Sequence, residues 1–399
     1  MRRTRKVLIT ILIIVLILLL CAGLMLSFLS QMRKAAQLHY SPNSQCVYQF
    51  FKEEENTLDG IYVGSSAADR YWVPAIAYEE EGICIYNLGT TCQPFVSIKY
   101  LINEALKTQP DMDLIIIEPR NIIRQAEWIE DRYFYCFADF LPLSMNKRNM
   151  INAYLEYNRK IGADINFDKE DYYFPLLRFD PILQDPNYSS STVSTEESSS
   201  EELVNYEPGF QFYLKRLFDQ PLSESLAQMK ILKTDEEMTV SKGYRVNEFS
   251  FKTVAFPNCE NNILSEPLDP IGDAMLEDLL EYCNHLDIEV VFVSSPYAYQ
   301  KDGLEKKIRY VMERCERAGF VTLDFNCEPL LSEVNMDYKR DYYDLKHVNF
   351  WGARRYTKFL ADYLDTTYNL KDHRGDSQYK SWDDSLEKLN ELIIQFRPQ

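Results

Sequence analysis

Five short apolar runs limit what this chain can become. They are GIYVG at 60–64, ICIYN at 83–87, DLIIIEP at 113–119, IEVVFVSSP at 288–296 and FVTLDFN at 320–326. Continuous apolar strands of this kind need cover on both faces, the condition of a parallel sheet wrapped by helices. The intervals between them carry the helical period. A helical stretch is expected around Tyr71 to Glu79. Phe95, Ile98, Leu101, Ile102 and Ala105 recur at helical spacing behind Pro94, which suits a helix start. Further helices are expected over about 269–285 and 304–318, and in the segment that follows Asp344. The reading is an α/β fold, with a three-layer α/β/α core around a five-stranded parallel sheet and no internal repeat.

The alternation breaks between the third and fourth strands, so residues about 125–260 read as a large insertion in a core domain of 59–368. Inside it, YSSSTVSTEESSSEE at 188–202 has almost no apolar residue and is expected to be a disordered loop. KGYRVNEFSF at 242–251 looks like part of a small extra hairpin. Residues 33–58 are expected to be a linker, and 369–399 a tail: a polar linker followed by an amphipathic stretch, SWDDSLEKLNELIIQF.

The N-terminus has a different logic. Arg2, Arg3, Arg5 and Lys6 precede a charge-free apolar run from about Val7 to about Leu29. As a helix that run is ~33 Å long, enough for a hydrocarbon core of ~30 Å. It has no polar face, unlike a soluble helix, and it is longer than the apolar core of a signal peptide, with no clear small-residue cleavage site after it. Residues 1–32 are therefore expected to be a basic flank and an uncleaved transmembrane anchor, with the N-terminus in the cytoplasm and the rest of the chain outside.

Of nine cysteines, eight follow the apolar run. An oxidising compartment permits disulfides, but the spacings are irregular and Cys84 and Cys283 sit in apolar segments suited to core residues. The net charge of −18, with no basic cluster beyond the anchor flank, argues against a nucleic-acid partner.

In open parallel sheets, ligands bind beyond the carboxyl ends of the strands. The first strand ends in Gly64-Ser65-Ser66, the second in Asn87-Leu88-Gly89, the third in Glu118-Pro119-Arg120-Asn121, and Asp344-Leu345-Lys346-His347 follows the fifth. A hydroxyl, a base of near-neutral pKa and a carboxylate thus meet at one edge, the set required for nucleophilic acyl chemistry. There is no H-E-x-x-H, no P-loop and no G-x-G-x-x-G, and a serine nucleophile requires neither metal nor cofactor.

These blocks resemble those of the SGNH, or GDSL-like, hydrolases, and most of all their membrane-anchored branch of teichoic-acid D-alanyl esterase-like and alginate O-acetyltransferase-like proteins. The resemblance covers roughly 59–124 and 266–366. It implies a flavodoxin-like core. It maps the nucleophile to Ser66, an oxyanion-hole glycine to Gly89, and the D-x-x-H block to Asp344 and His347, with Asn349 and Gly352 continuing the run. The third block departs from the family's G-x-N-D, which leaves Asn121 and Arg120 both open as the side chain completing the oxyanion hole. Ser66 could also serve as a helix N-cap, with Ser65 as the competing hydroxyl, and Asn87 and Gly89 could form a simple tight turn. Of the four histidines, His39 lies beside the anchor, His285 on an amphipathic helix and His373 in the polar tail.

The resemblance implies an esterase or O-acyltransferase acting on O-acetyl or D-alanyl esters. Its substrate would be a cell-envelope polysaccharide, teichoic acid or other acylated glycan, with acyl-transfer partner proteins. The alternative is a catalytically silent binding or accessory module in an envelope-polymer assembly. The topology is directly testable: protease added to intact spheroplasts should digest the domain after the anchor, whereas full protection until lysis would place that domain inside.

Overall fold

The computed structural model describes residues 6, 9–24, 42–124, 131–163, 172–173, 242–244, 252–254, 264–298 and 304–395. The chain divides into two units, one of Met1–Tyr40 with Phe174–Leu232 and one of Ser41–Tyr173 with Lys233–Gln399. In the first, residues 9–24 are helical and exposed. Among the described residues no helix is long and apolar enough to cross a membrane, and the remainder of the apolar run, 7–8 and 25–29, lies outside them. The polar tract 188–202 and most of the 242–251 segment also lie outside the described residues.

The second unit is an α/β fold on one sheet of five parallel strands: β1 Gly60–Gly64, β2 Ile85–Asn87, β3 Leu114–Glu118, β4 Glu289–Ser294 and β5 Val321–Asp324. Their order is β2-β1-β3-β4-β5, that of flavodoxin-like sheets. Every residue of β1 and β3 is buried, so both faces are covered, as their unbroken apolar sequence requires. Register sets the faces. Tyr62 stands beside Ile116, and Ile116 beside Val291, so these side chains point to one side. There they meet Ile76, Tyr356, Leu360 and Leu364 from the helices Pro74–Glu81 and Phe350–Tyr368.

The helix expected around 71–79 is two pieces, Ser66–Asp69 and Pro74–Glu81. Pro74 lacks an N–H to continue the first piece and starts the second at its first position. Thr357, buried on the long helix, ties down the joint: its hydroxyl accepts from Val73 N (2.9 Å) and donates to Tyr71 O (3.1 Å).

The segments expected as linker and tail both carry helices packed into this unit, the second being the expected amphipathic helix. Within 33–58, Pro42–Phe50 is a helix whose Cys46, Val47 and Phe50 are fully buried, with Cys46 O accepting from the Tyr86 hydroxyl at 2.8 Å. The tail, likewise, is part of the core unit. His373 Nε2 lies 2.8 Å from Asp59 Oδ1, while Asp59 Oδ2 accepts from Cys84 N at 2.6 Å. The helix Lys380–Gln395 then buries Trp382 against Tyr78, with Lys242 Nζ 4.8 Å from the indole centre. The apolar stripe of this amphipathic segment is spent on the adjacent helix Pro74–Glu81. Cys84 and Cys283 are buried core residues.

Trp382→Ala should therefore cost ~3–5 kcal/mol, the scale for emptying a buried aromatic site. Urea unfolding measures it; a loss below about 1 kcal/mol would show that the C-terminal helix contributes nothing to the unit.

Candidate active site

Ser66 sits where β1 gives way to its helix. Ser65 holds the N-cap position with extended backbone (φ −90°, ψ −151°), its carbonyl accepting from Ala68 N and Asp69 N, and its hydroxyl makes no cap bond. Ser66 is the first helical residue, so its N–H and that of Ala67 have no acceptor within the helix. Gly64 makes the turn possible. Its φ is +155°, and a Cβ there would stand 2.9 Å from the Glu118 carbonyl oxygen.

Asn87 braces this turn from β2. Its amide nitrogen donates to Ala68 O (3.0 Å) and Trp72 O (2.8 Å), and its Oδ1 accepts from Gly89 N at 3.2 Å. Gly89 packs so closely on the short helix that a Cβ would meet Ala68 Cβ at 2.8 Å and Asp69 N at 2.9 Å. Asn87 is fully buried and was readable in the sequence only as a turn residue. Its polar side chain at the end of an apolar strand is the signal that it satisfies backbone groups of a neighbour.

The base arrives from 281 residues away. His347 Nε2 lies 3.0 Å from Ser66 Oγ, and its Nδ1 lies 2.9 Å from Asp344 Oδ2. Asp344 Oδ1 meanwhile accepts from Lys346 N (2.6 Å) and His347 N (2.7 Å). Burial pushes the Asp344 carboxyl up, but the bond and charge of His347 and these two N–H groups outweigh it and hold the group below its ordinary value. The loop is a narrow hairpin closed by a Tyr342–Val348 bridge. Asn349 ends it and caps the following helix, accepting from Trp351 N (3.0 Å) and Gly352 N (3.1 Å). The Tyr71 hydroxyl donates to Lys346 O at 2.9 Å, tying the hairpin to the segment after the nucleophile. Ser66, His347 and Asp344 are thus in one hydrogen-bonded line.

The residues named for the oxyanion hole are otherwise engaged. The Gly89 N–H is directed at Asn87 Oδ1. The Asn121 amide donates to Gln93 O. Arg120 pairs through Nε with Glu118 Oε1 (3.3 Å) and donates through Nη2 to Ser295 O, with its guanidinium 4.4 Å from the Tyr297 ring centre. Glu118 is fully buried at the end of β3, and burial pushes its carboxyl up to about 7 against the pull of Arg120. Ser295, also buried, donates its hydroxyl to Ala67 O at 2.8 Å and lies 3.2 Å from the Tyr62 hydroxyl. Burial raises Tyr62, Tyr71 and Tyr356, so these phenols remain neutral. Glu118 and Ser295 support the site from beneath and were not singled out in the sequence. A lone acidic residue closing an all-apolar strand was the available signal for Glu118.

No protein-family model matches this chain, and no curated protein sequence matches it.

Asn87→Asp replaces a buried donor by a carboxylate facing two carbonyl oxygens. It should cost ~1–3 kcal/mol or more and loosen the Ser66 turn. Thermal unfolding measures the stability loss; a change under about 0.5 kcal/mol would mean the brace is dispensable.

Proposed function

We propose that this chain is a membrane-anchored, extracytoplasmic serine esterase or O-acyltransferase of the SGNH type. The observation that carries the reading is the Ser66–His347–Asp344 line, with both imidazole nitrogens at hydrogen-bond distance from their partners. The basic flank and charge-free apolar run support the anchor.

In this reading Ser66 Oγ attacks an ester carbonyl while His347 Nε2 takes its proton. The imidazolium so formed is stabilised by Asp344, whose two accepted N–H bonds fix the carboxylate and hence the Nδ1–H tautomer. The N–H groups at the start of the Ser66 helix meet the developing oxyanion. The tetrahedral intermediate collapses as His347 returns the proton to the leaving alcohol, which departs and leaves an acyl-Ser66. His347 then deprotonates water or a second alcohol, which attacks the acyl carbonyl; the acyl–Oγ bond breaks and His347 returns the proton to Ser66 Oγ, restoring the free serine. The substrate class suggested by the family resemblance is an O-acetyl or D-alanyl ester on a cell-envelope polysaccharide or teichoic acid, with acyl-transfer proteins as partners.

A second reading, a silent binding module, is favoured by one observation: the Gly89 N–H and the Asn121 amide are already bonded to Asn87 and Gln93. A fluorophosphonate probe on the full-length protein separates the two. Modification should map to Ser66, and Ser66→Ala or His347→Ala should each lower ester turnover by ~10³-fold or more, the double variant being little worse than either. Asp344→Asn should cost ~10²–10⁴-fold through the wrong tautomer, and Ser65→Ala should stay near wild type. If Ser65→Ala abolishes modification and Ser66→Ala spares it, the nucleophile is misassigned; no modification at either serine favours the binding module.

A further inference from the structure

The base hairpin carries one contact that the acyl mechanism leaves unused. The Tyr343 ring lies almost parallel to His347, at 12° and 5.7 Å between centres. It stands across the hairpin from the histidine, with Tyr343 N donating to His347 O at 3.3 Å. The Tyr343 hydroxyl accepts from Arg70 Nη1 at 2.8 Å, and the guanidinium carbon lies 5.8 Å from the ring centre. Arg70 belongs to the nucleophile segment: its N–H donates to Ser66 O at 3.0 Å, and its Nε lies 3.3 Å from the buried Asp69 carboxylate. Arg70 is itself only 8% exposed, so its long side chain is confined.

A chain of contacts therefore runs from the backbone of Ser66 through Arg70 and Tyr343 to the imidazole ring. Asp344 holds the ring at Nδ1 and Ser66 meets it at Nε2, each by a single hydrogen bond at the edge of the ring. A parallel ring on one face resists rotation about the Cβ–Cγ bond, and Arg70 resists displacement of the Tyr343 ring. We infer that Tyr343 is a positioning residue that holds the plane of His347 against Ser66, and that Arg70 acts through it. The inference rests on the serine-esterase reading for its functional consequence, and on geometry alone for the ordering of His347.

Two measurements on the full-length protein test it: the rate of fluorophosphonate modification across pH, and the ring resonances of His347 after selective ¹⁵N-histidine labelling. Tyr343→Phe keeps the ring and loses the bond to Arg70; modification should slow roughly 3- to 10-fold, the scale of one hydrogen bond. Arg70→Lys keeps the charge beside Asp69 but not the fork, and should give a similar loss; the double variant should be no slower than the slower single one. Tyr343→Ala should slow modification roughly 30- to 100-fold, as expected of a misplaced base. Its residual rate should rise with pH without the plateau of an imidazole titration, resembling His347→Ala. Its His347 resonances should broaden or average, where the wild type shows one fixed tautomer.

Modification of Tyr343→Phe and Tyr343→Ala within 2-fold of wild type, with unchanged His347 resonances, would overturn the inference, as would additive losses in the double variant. An unmodified wild type whose His347 signals still depend on Tyr343 would remove the esterase reading and leave the positioning role supported. An unmodified wild type with signals indifferent to Tyr343 would remove both.

Discussion

A carboxylate at the end of the central strand must be compensated, and the arrangement around Glu118 follows from that need. Glu118 is fully buried on β3, beside Gly64 of β1, at the point where the strand order reverses direction. Removing one member of a buried pair is far more costly than removing both, so Arg120 two residues later is bound to this carboxylate. The guanidinium lies against the carboxylate as an ion pair and donates through Nη2 to Ser295 O at the end of β4. Ser295 in turn donates to Ala67 O, next to the nucleophile. Three strand ends are thus joined through one charge pair, and the absence of a Cβ at Gly64 leaves the space for it. The Glu118-Pro119-Arg120-Asn121 segment is thus part of the packing of this switch point. Arg120, one of the two side chains left open for the oxyanion hole, pairs with Glu118 and donates to Ser295 O.

What the sequence made legible follows from range. The five strands were readable because continuous apolar runs and their helical intervals are local patterns. The splitting of the helix after Ser66 was equally local, since Pro74 was in plain view, but an expected stretch of 71–79 ran through it. The packing of the C-terminal tail was not readable. Its anchors pair Asp59 with His373 and Tyr78 with Trp382, and no spacing rule connects residues more than 300 positions apart. His373 in a polar stretch resembled a solvated residue until Asp59, itself satisfying the Cys84 N–H, required a partner. The helix Pro42–Phe50 was hidden for the same reason: it becomes apolar on one face only in relation to Tyr86.

The site divides along the same line. Asn87, Glu118 and Ser295 support the nucleophile turn through backbone carbonyls and buried charge, and such roles leave no residue-type signature beyond a polar group in an apolar run. The oxyanion assignments to Gly89, Asn121 and Arg120 came from resemblance at strand ends. In the folded chain Gly89 N, Asn121 Nδ2 and Arg120 Nη2 donate to Asn87 Oδ1, Gln93 O and Ser295 O. For Gly89 the close approach to Ala68 and Asp69 is a sufficient physical reason for glycine, independent of any anion.

The D-x-x-H spacing was readable because its geometry is short-range. A side chain carboxylate that turns back to accept the N–H groups two and three residues ahead brings residue i+3 over itself. With Asp344 Oδ1 occupied by Lys346 N and His347 N, Oδ2 is left facing the imidazole of His347. One carboxylate therefore closes the turn and orients the base, and a spacing of three is what lets it do both. The hairpin cannot by itself find Ser66. That alignment depends on the sheet, on Tyr71 holding Lys346 O, and on Asn349 starting the helix Phe350–Tyr368 at the right height over β1. Orientation of the base is encoded locally, its distance from the nucleophile globally, and the 3.0 Å separation between Nε2 and Oγ is where the two meet.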